Sequence, residues 1–422
     1  MIRRSEGRLI LSILLLSALL FLAGCRGRQE EVVEITLIHG WGSTEADHVA
    51  MRRIYQDFEK EHPNIRLNLV SMPSSEEVII KAEDMLTVGE MPDIIFTGGM
   101  GRETVYRFMV ENDYAVDIMP YLEADESFGE NVSEATLSYW TEEGNRLFTV
   151  SDVILMSGYW YNTAIFEEAG IEEPPTDWME FIDVCRRISQ WAESRKEELV
   201  PVVLDAEHIL HLADAMLADI DPGILEEIRE ERIDFSSEEF AQVMEQLKAI
   251  YQCSAIMTNY TYRDTLESFN RQESAIYING VWASSMIDQE LKVGYAAFPH
   301  SSGKGLSNVS SCVGYILGKS GDSKREEASV EFLKYMLSQP VAKRILTETG
   351  QIPSNPRIKI EEGVENERLR QAVSCVKNAE YKIEVPANIW KNSQKADFGE
   401  STKMYLTERI TLVDFFKRLQ KE

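Results

Sequence analysis

Apolar and polar positions along this chain switch period repeatedly, and the switches mark out its elements. Ile35 and Leu37 alternate with Thr36 and Ile38, a strand pattern over 32–38. After the turn at 39–43, Met51, Ile54, Tyr55 and Phe58 recur at helical spacing and predict a helix over 44–60. Pro63 precedes a second strand over 65–70, a helix over 76–88 closes at Gly89, and a third strand over 92–97 ends in Gly98-Gly99. Strand, helix, strand, helix, strand at these lengths is a right-handed unit on a parallel sheet. In such sheets ligands sit beyond the carboxyl ends of the strands, which points to residues 39–43 and 97–99.

A second block is organised around 155–185. Residues 153–161 are almost all apolar or aromatic and predict a strand. Asn162 or Thr163 then caps a short helix that Gly170 can end in a left-handed conformation. Pro174 and Pro175 hold the connection extended. Asp177 opens a further helix as N-cap with Glu180 reaching back, and Phe181, Val184, Cys185 and Ile188 form its buried face.

The same stretch carries a resemblance. Tyr161-Asn162, then IFEEAGI over 165–171, Pro174-Pro175, Trp178 and Glu180-Phe181 resemble a signature of bacterial extracellular solute-binding proteins, the receptors of sugar-importing ABC transporters of the maltose-binding type. Asp177 stands where Thr is common, and both residue types cap helices. EHPNIRLNLV over 61–70 and GEMPDIIFTGG over 89–99 are similar to the first lobe of these receptors, Pro92-Asp93-Ile94-Ile95 being one of the more specific marks. FNRQESAIYINGVW over 269–282 resembles a family motif ending in Asn-Gly-x-Trp, with Gln272 where Gly is usual. The amphipathic helix predicted over 323–338, with Ala328, Phe332 and Tyr335 on one face, and TGQIP over 349–353 match as well. Ser151 stands at the first crossing between lobes where Pro is frequent.

The resemblance implies an α/β, two-lobed periplasmic-binding-protein fold with discontinuous lobes and a hinge. The expected division is 32–146 with 307–346 for the first lobe and 147–306 with 347–422 for the second. Residues 366–422, helical in pattern, are expected to pack on the second lobe. A chain of 422 residues, 44% of them hydrophobic, is long enough for two cores.

Composition narrows the function. The formal net charge is −28, and removal of residues 1–24 takes away Arg3, Arg4, Arg8 and Glu6, a net +2, leaving −30. No basic stripe offsets this, so nucleic-acid binding and docking on anionic lipid are excluded. Membrane attachment is instead expected to be covalent. Three arginines in residues 1–8 precede an apolar run of 15 residues over 9–23, too short for a bilayer span of about 20 and suited to a signal peptide. The run ends in Leu22-Ala23-Gly24-Cys25, which resembles a lipobox and implies lipidation of Cys25, with residues 25–31 as a tether. Cys185, Cys253, Cys312 and Cys375 remain, and their long spacings fit no metal motif but leave disulfides open.

Sugar capture needs aromatic faces for the C–H surface of the ring and polar groups for the hydroxyls. Ligand contacts are therefore expected from Trp41, Ser43, Thr97, Gly98, Asp152, Tyr159, Asn279, Trp282, Gly314 and Trp390. Each aromatic among them also suits a core position. His208 and His211 would share a helix face with Asp205 and Asp214 nearby, but a metal needs three convergent ligands and none is expected here. No nucleophile elbow, phosphate loop or zinc motif occurs, so neither catalysis nor a cofactor is expected. The implied partners are a carbohydrate and the ABC permease subunits, with the receptor a monomer. A non-sugar ligand such as a polyamine, or a sensor that presents its ligand to a signalling protein, are the alternatives.

Overall fold

The computed structural model describes residues 32–420, apart from 99–100, 103, 255–261, 361–363 and 365. The strands that build its two main sheets are β1 (Val33–His39), β2 (Ile65–Ser71), β3 (Ile94–Phe96), β4 (Thr149–Val150), β5 (Val153–Asn162), β6 (Val200–Val202), β7 (Ser274–Gly280), β8 (Val293–Ala296), β9 (Leu306–Ser310), β10 (Tyr315–Leu317), β11 (Ile352–Pro353) and β12 (Tyr381–Ile383).

The first sheet has the order β2-β1-β3-β10-β4, with β1 parallel to β2 and β3, as the alternation predicts. β10 returns antiparallel between β3 and β4. Its crossovers are the helices Ala46–Glu61 and Ser75–Thr87. Met51, Ile54, Tyr55 and Phe58 of the first are fully buried, so the helical stripe does become the core-facing side. Ser74 caps the second helix by accepting from Glu77 N, and Gly89 follows its end at φ +80°.

β5 is the spine of the second sheet, whose order is β12-β9-β5-β7-β6. Its ten residues meet different partners along its length: Val153 and Ile154 pair with β11, Leu155 to Ser157 with β9, and Tyr159 to Asn162 with β8. β7 pairs antiparallel along the other edge of Ser157 to Tyr161. The alternate side chains of β5 also enter different cores, Tyr159 the second and Met156 and Trp160 a third, so both faces are covered and the strand reads as one apolar run. Asn162 caps the next helix through Ala164 N at 3.0 Å and Ile165 N at 3.2 Å, and Gly170 takes φ +71°. Asp177 accepts from Glu180 N at 2.8 Å. Glu180 reaches back and accepts from the Thr176 amide and hydroxyl, each at 2.9 Å.

Two of the hydrophobic cores divide along these sheets. One draws on residues 35–153 and 312–345 with Val385, the other on 159–306 and 389–416. The helices Asn392–Leu406 and Leu412–Leu419 pack on the second core through Phe398, Tyr405 and Phe415. The fold is α/β and two-lobed. The expected division at 146/147 and 306/307 cuts beside two strands whose sheet membership differs from it. β4 still belongs to the first sheet, and β9 stays in the second by pairing with β5 and β12. Polar residues such as Ser307 and Asn308 make the β9 segment read as a connection, yet both are buried.

The crossing segments are tied to one another. Trp140 Nε1 donates to Ser311 O at 2.7 Å and to Ser151 Oγ at 3.0 Å, and Ser151 Oγ also donates to Ser311 O. Ser354 N donates to Asp152 O at 2.9 Å. Ser151, where a proline would leave no hydroxyl, thus holds two of the three crossing strands together. Among the described residues no helix is long and apolar enough to cross a membrane. Cys25 and the signal segment lie outside the described residues.

Candidate functional site

The loop after β1 is built by one histidine and one arginine. His39 is fully buried; its Nδ1 accepts from Trp41 N at 3.1 Å, so the imidazole is neutral and Nε2 faces Ser71 Oγ at 3.0 Å. Burial, reinforced by the nearby Arg52 charge, lowers its pKa to about 4. Arg52 donates to Trp41 O and, at 2.9 Å, to Ser43 O. The half-buried Trp41 ring is held against Phe96 at 5.2 Å and His48 at 5.1 Å, and Ser43 Oγ meets His48 Nδ1 at 2.9 Å. The ends of β1 and β3 therefore do converge, through Trp41 and Phe96.

The other expected residues divide into three groups. Thr97 and Gly314 hold each other: Thr97 N donates to Gly314 O at 2.8 Å and Gly314 N to Thr97 Oγ1 at 2.9 Å. A Cβ on Gly314 would stand 2.1 Å from Val150 O, so glycine is there for the close approach of β4 and β10. Gly98, at φ +56°, packs against Ser75 in the same way. Asp152 is buried between the lobes, where Oδ2 accepts from Tyr315 OH at 2.9 Å, and Tyr315 OH in turn meets Tyr55 OH at 2.9 Å. Burial, opposed by that hydrogen bond, raises the Asp152 pKa to about 7. At the end of β7, Asn279 Oδ1 accepts from Gly280 N at 2.7 Å, and the half-buried Trp282 folds its ring over Gly280.

Tyr159 and Trp390 belong to the second core. Tyr159 is fully buried between Phe181 and Phe298, so it packs rather than presenting a face to a ligand. Trp390 is 1% exposed, stacks on Phe235 and donates Nε1 to Asp214 Oδ1 at 2.8 Å. Both sit in stretches whose apolar neighbours, Trp160 and Ile389, already suit a core.

One cleft of about 450 Å³ lies between elements of the two lobes, within the range of small-molecule sites. Arg102, Arg107, Ser138 and Tyr139 line it from the first, Arg229, Ile389 and Trp390 from the second, and Ala387, which packs on the first core, stands with Asn388 between them. Tyr139 OH donates across it to Asn388 Oδ1 at 2.7 Å. Trp390 is the one expected contact residue in this lining. The arginines, Tyr139 and Asn388 carry no local sequence signal, since their meeting depends on segments some 250 positions apart.

His208 and His211 do share a helix face, their rings 6.3 Å apart, but each meets its own partner: His208 Nδ1 lies 2.8 Å from Asp205 Oδ2 and His211 Nδ1 3.1 Å from Asn308 Oδ1. At the start of the helix Ala46–Glu61, Glu45, Asp47 and His48 bring ligand-type atoms within 4.8 Å of one another. Cys185, Cys253, Cys312 and Cys375 are free thiols, and burial raises the pKa of each.

Two α/β lobes joined by tied crossing strands, with a cleft between elements of both, are the architecture of two-lobed binding proteins. The chain belongs to the bacterial extracellular solute-binding protein family, whose model matches residues 41–343. These are binding proteins rather than enzymes. The chain is 23% identical over 368 residues to the multiple sugar-binding protein of Streptococcus mutans, covering 80% of this chain and 83% of that one. Its fold is similar to that of a Streptococcus pneumoniae solute-binding protein solved with the blood group A-trisaccharide, with TM-score 0.76, 22% identity, and 92% and 98% of the two chains covered. A chitin oligosaccharide binding protein is similar at TM-score 0.77 and 18% identity, with 92% and 97% covered.

Proposed function

We propose that the protein captures a carbohydrate between its lobes and delivers it to an ABC permease. The observation that carries this reading is the cleft lined from both lobes in a chain of this family, similar over most of its length to a sugar-binding protein. Its lobes on this reading are 32–150 with 315–346, and 153–310 with 347–420. Outside that lining, the half-buried Trp41 and Trp282 are the aromatic faces we assign to pyranose rings, with Ser43 in the Trp41 loop and Asn279 before Trp282 for hydroxyls. Asp152, Thr97 and Gly314 act in the hinge that carries closure.

Titration calorimetry against neutral and charged oligosaccharides tests the reading. Reversible binding of an intact sugar is expected. Trp41→Ala and Trp282→Ala should each weaken it by ~1–3 kcal/mol, roughly ten- to hundred-fold, while the proteins stay folded. Unchanged affinity in a folded Trp282→Ala protein would remove that residue from the site. Turnover of the sugar, seen by mass spectrometry, would sink the receptor reading itself.

Anchoring through Cys25 places the receptor at the outer membrane face and raises its effective concentration near the permease. Cys25→Ser should abolish lipid labelling and release the protein from the membrane fraction. Retention equal to wild type would refute the anchor.

A further inference from the structure

The loop that carries Trp41 and Ser43 is pinned amide by amide. Trp41 N donates to His39 Nδ1 at 3.1 Å, Gly42 N to Met72 O at 2.8 Å and Ser43 N to His48 Nδ1 at 3.2 Å. Arg52 donates to the carbonyls of Trp41 and Ser43. Two of these three amide acceptors are imidazole nitrogens, and such a nitrogen accepts only while it carries no proton. Resting on the reading that Trp41 and Ser43 meet the sugar, we propose that His48 is the positioning residue of this loop, holding both for the ligand through a bond that only its neutral ring can accept.

His48 Nδ1 takes the Ser43 amide and, at 2.9 Å, the Ser43 hydroxyl, whose oxygen in turn accepts from Glu45 N at 3.2 Å. The ring also stands at 89° to the Trp41 indole, with centroids 5.1 Å apart, and so fixes the tilt of the aromatic face. With Nδ1 accepting, the proton sits on Nε2, which lies 3.7 Å from Glu45 Oε2. That tautomer has no lone pair left for an ion, so Glu45, Asp47 and His48 form a scaffold for the loop rather than a metal site. A proton on Nδ1 would set N–H against N–H and release the Ser43 amide. Among the described residues, the titratable and charged groups around the ring are Glu45, Asp47 and Arg52 from the start of its own helix and His39 from β1. Burial lowers the His48 pKa, Asp47 and Glu45 oppose that shift, and Arg52 reinforces it.

The whole protein is screened with mono- to tetrasaccharides of glucose, xylose, galactose, mannose and N-acetylglucosamine. The tightest binder is then titrated into wild type, His48→Asn, His48→Phe and Trp41→Ala between about pH 7.5 and 5. Asn sets an oxygen near the place of Nδ1 and takes no proton, whereas Phe keeps a ring and offers no acceptor. At the upper pH, His48→Asn should bind within about threefold of wild type and His48→Phe about five- to tenfold more weakly. The affinity of wild type relative to His48→Asn should fall as pH drops below about 6.5, because only wild type has a ring to protonate. Asp152 and His39 titrate alike in both proteins and cancel from that ratio. In hydrogen exchange without ligand, the peptide over 39–45 should exchange faster in His48→Phe than in His48→Asn. Full affinity in His48→Phe, a His48→Asn protein as weak as His48→Phe, or a ratio that stays constant with pH would overturn the proposal and leave the receptor reading standing. Unchanged affinity in a folded Trp41→Ala protein would remove the loop from the site and the proposal with it. No binding by any of the sugars would overturn the carbohydrate reading as well.

Discussion

Trp390→Ala should lower stability by ~4 kcal/mol or more and shift the thermal transition down by several degrees, before any ligand is added. The indole is 1% exposed, stacked on Phe235 and 5.1 Å from the Phe398 ring, so truncation leaves a cavity in the middle of the second core. It also removes the donor to Asp214 Oδ1, the one among the described residues, leaving a fully buried carboxyl without that hydrogen bond. Trp390→Phe separates the two effects, because it keeps most of the packing and loses only the N–H. It should cost ~1–3 kcal/mol, the range for an unsatisfied buried polar group. Urea unfolding of the two variants measures both. A folded Trp390→Ala protein with wild-type melting and lost sugar affinity would reverse the assignment and make the ring a wall of the site.

The fold was largely legible because its signals are local. Period-two and helical stripes marked β1, β2 and the two helices between the first three strands, and Asn162, Asp177 and Gly170 sit at the caps they suggested. The site was less legible, for two physical reasons. Tyr159 was a candidate ligand contact on a mostly apolar strand, yet that strand is covered on both faces at this point and Tyr159, like Trp160, is core. Conversely, Arg102 and Arg229 carry no local signal, since nothing near them in sequence shows that the chain brings them to one cleft. Hydrogen bonds such as Tyr139 to Asn388 become visible only once long-range pairing is known. The strand over 306–310 was hidden for a related reason: Ser307 and Asn308 are polar in sequence, and β9 buries them by meeting their hydrogen-bonding needs, Asn308 Nδ2 donating to Glu384 O at 2.8 Å.

Acidification from about pH 8 should stabilise the fold through Asp214, and Asp214→Asn should remove that dependence. The carboxyl is fully buried, Oδ1 accepts from Trp390, and Oδ2 has no partner among the described residues. Burial therefore favours the neutral acid and raises its pKa to about 8. Below the unfolded value near 4 both states hold the proton and the group contributes no slope. Between about 4 and 8 the unfolded chain ionises while the folded one stays protonated, so stability falls by ~1.4 kcal/mol per pH unit as pH rises. Above about 8 the folded carboxyl ionises too and the loss stops. Asp152, raised to about 7, adds the same sign over a narrower window. His39, lowered to about 4, works in the opposite direction: between about 4 and 6.5 the unfolded imidazole binds a proton that the folded one refuses, so stability rises with pH there. The wild-type profile is thus a composite. Subtracting it from that of Asp214→Asn, which mimics the neutral acid, isolates one group. The variant should be favoured increasingly from pH ~4 to ~8, by several kcal/mol in all, and by a constant amount beyond. A difference that does not change with pH would mean that Asp214 is ionised in the folded protein, and that Trp390 alone suffices to hold a buried charge.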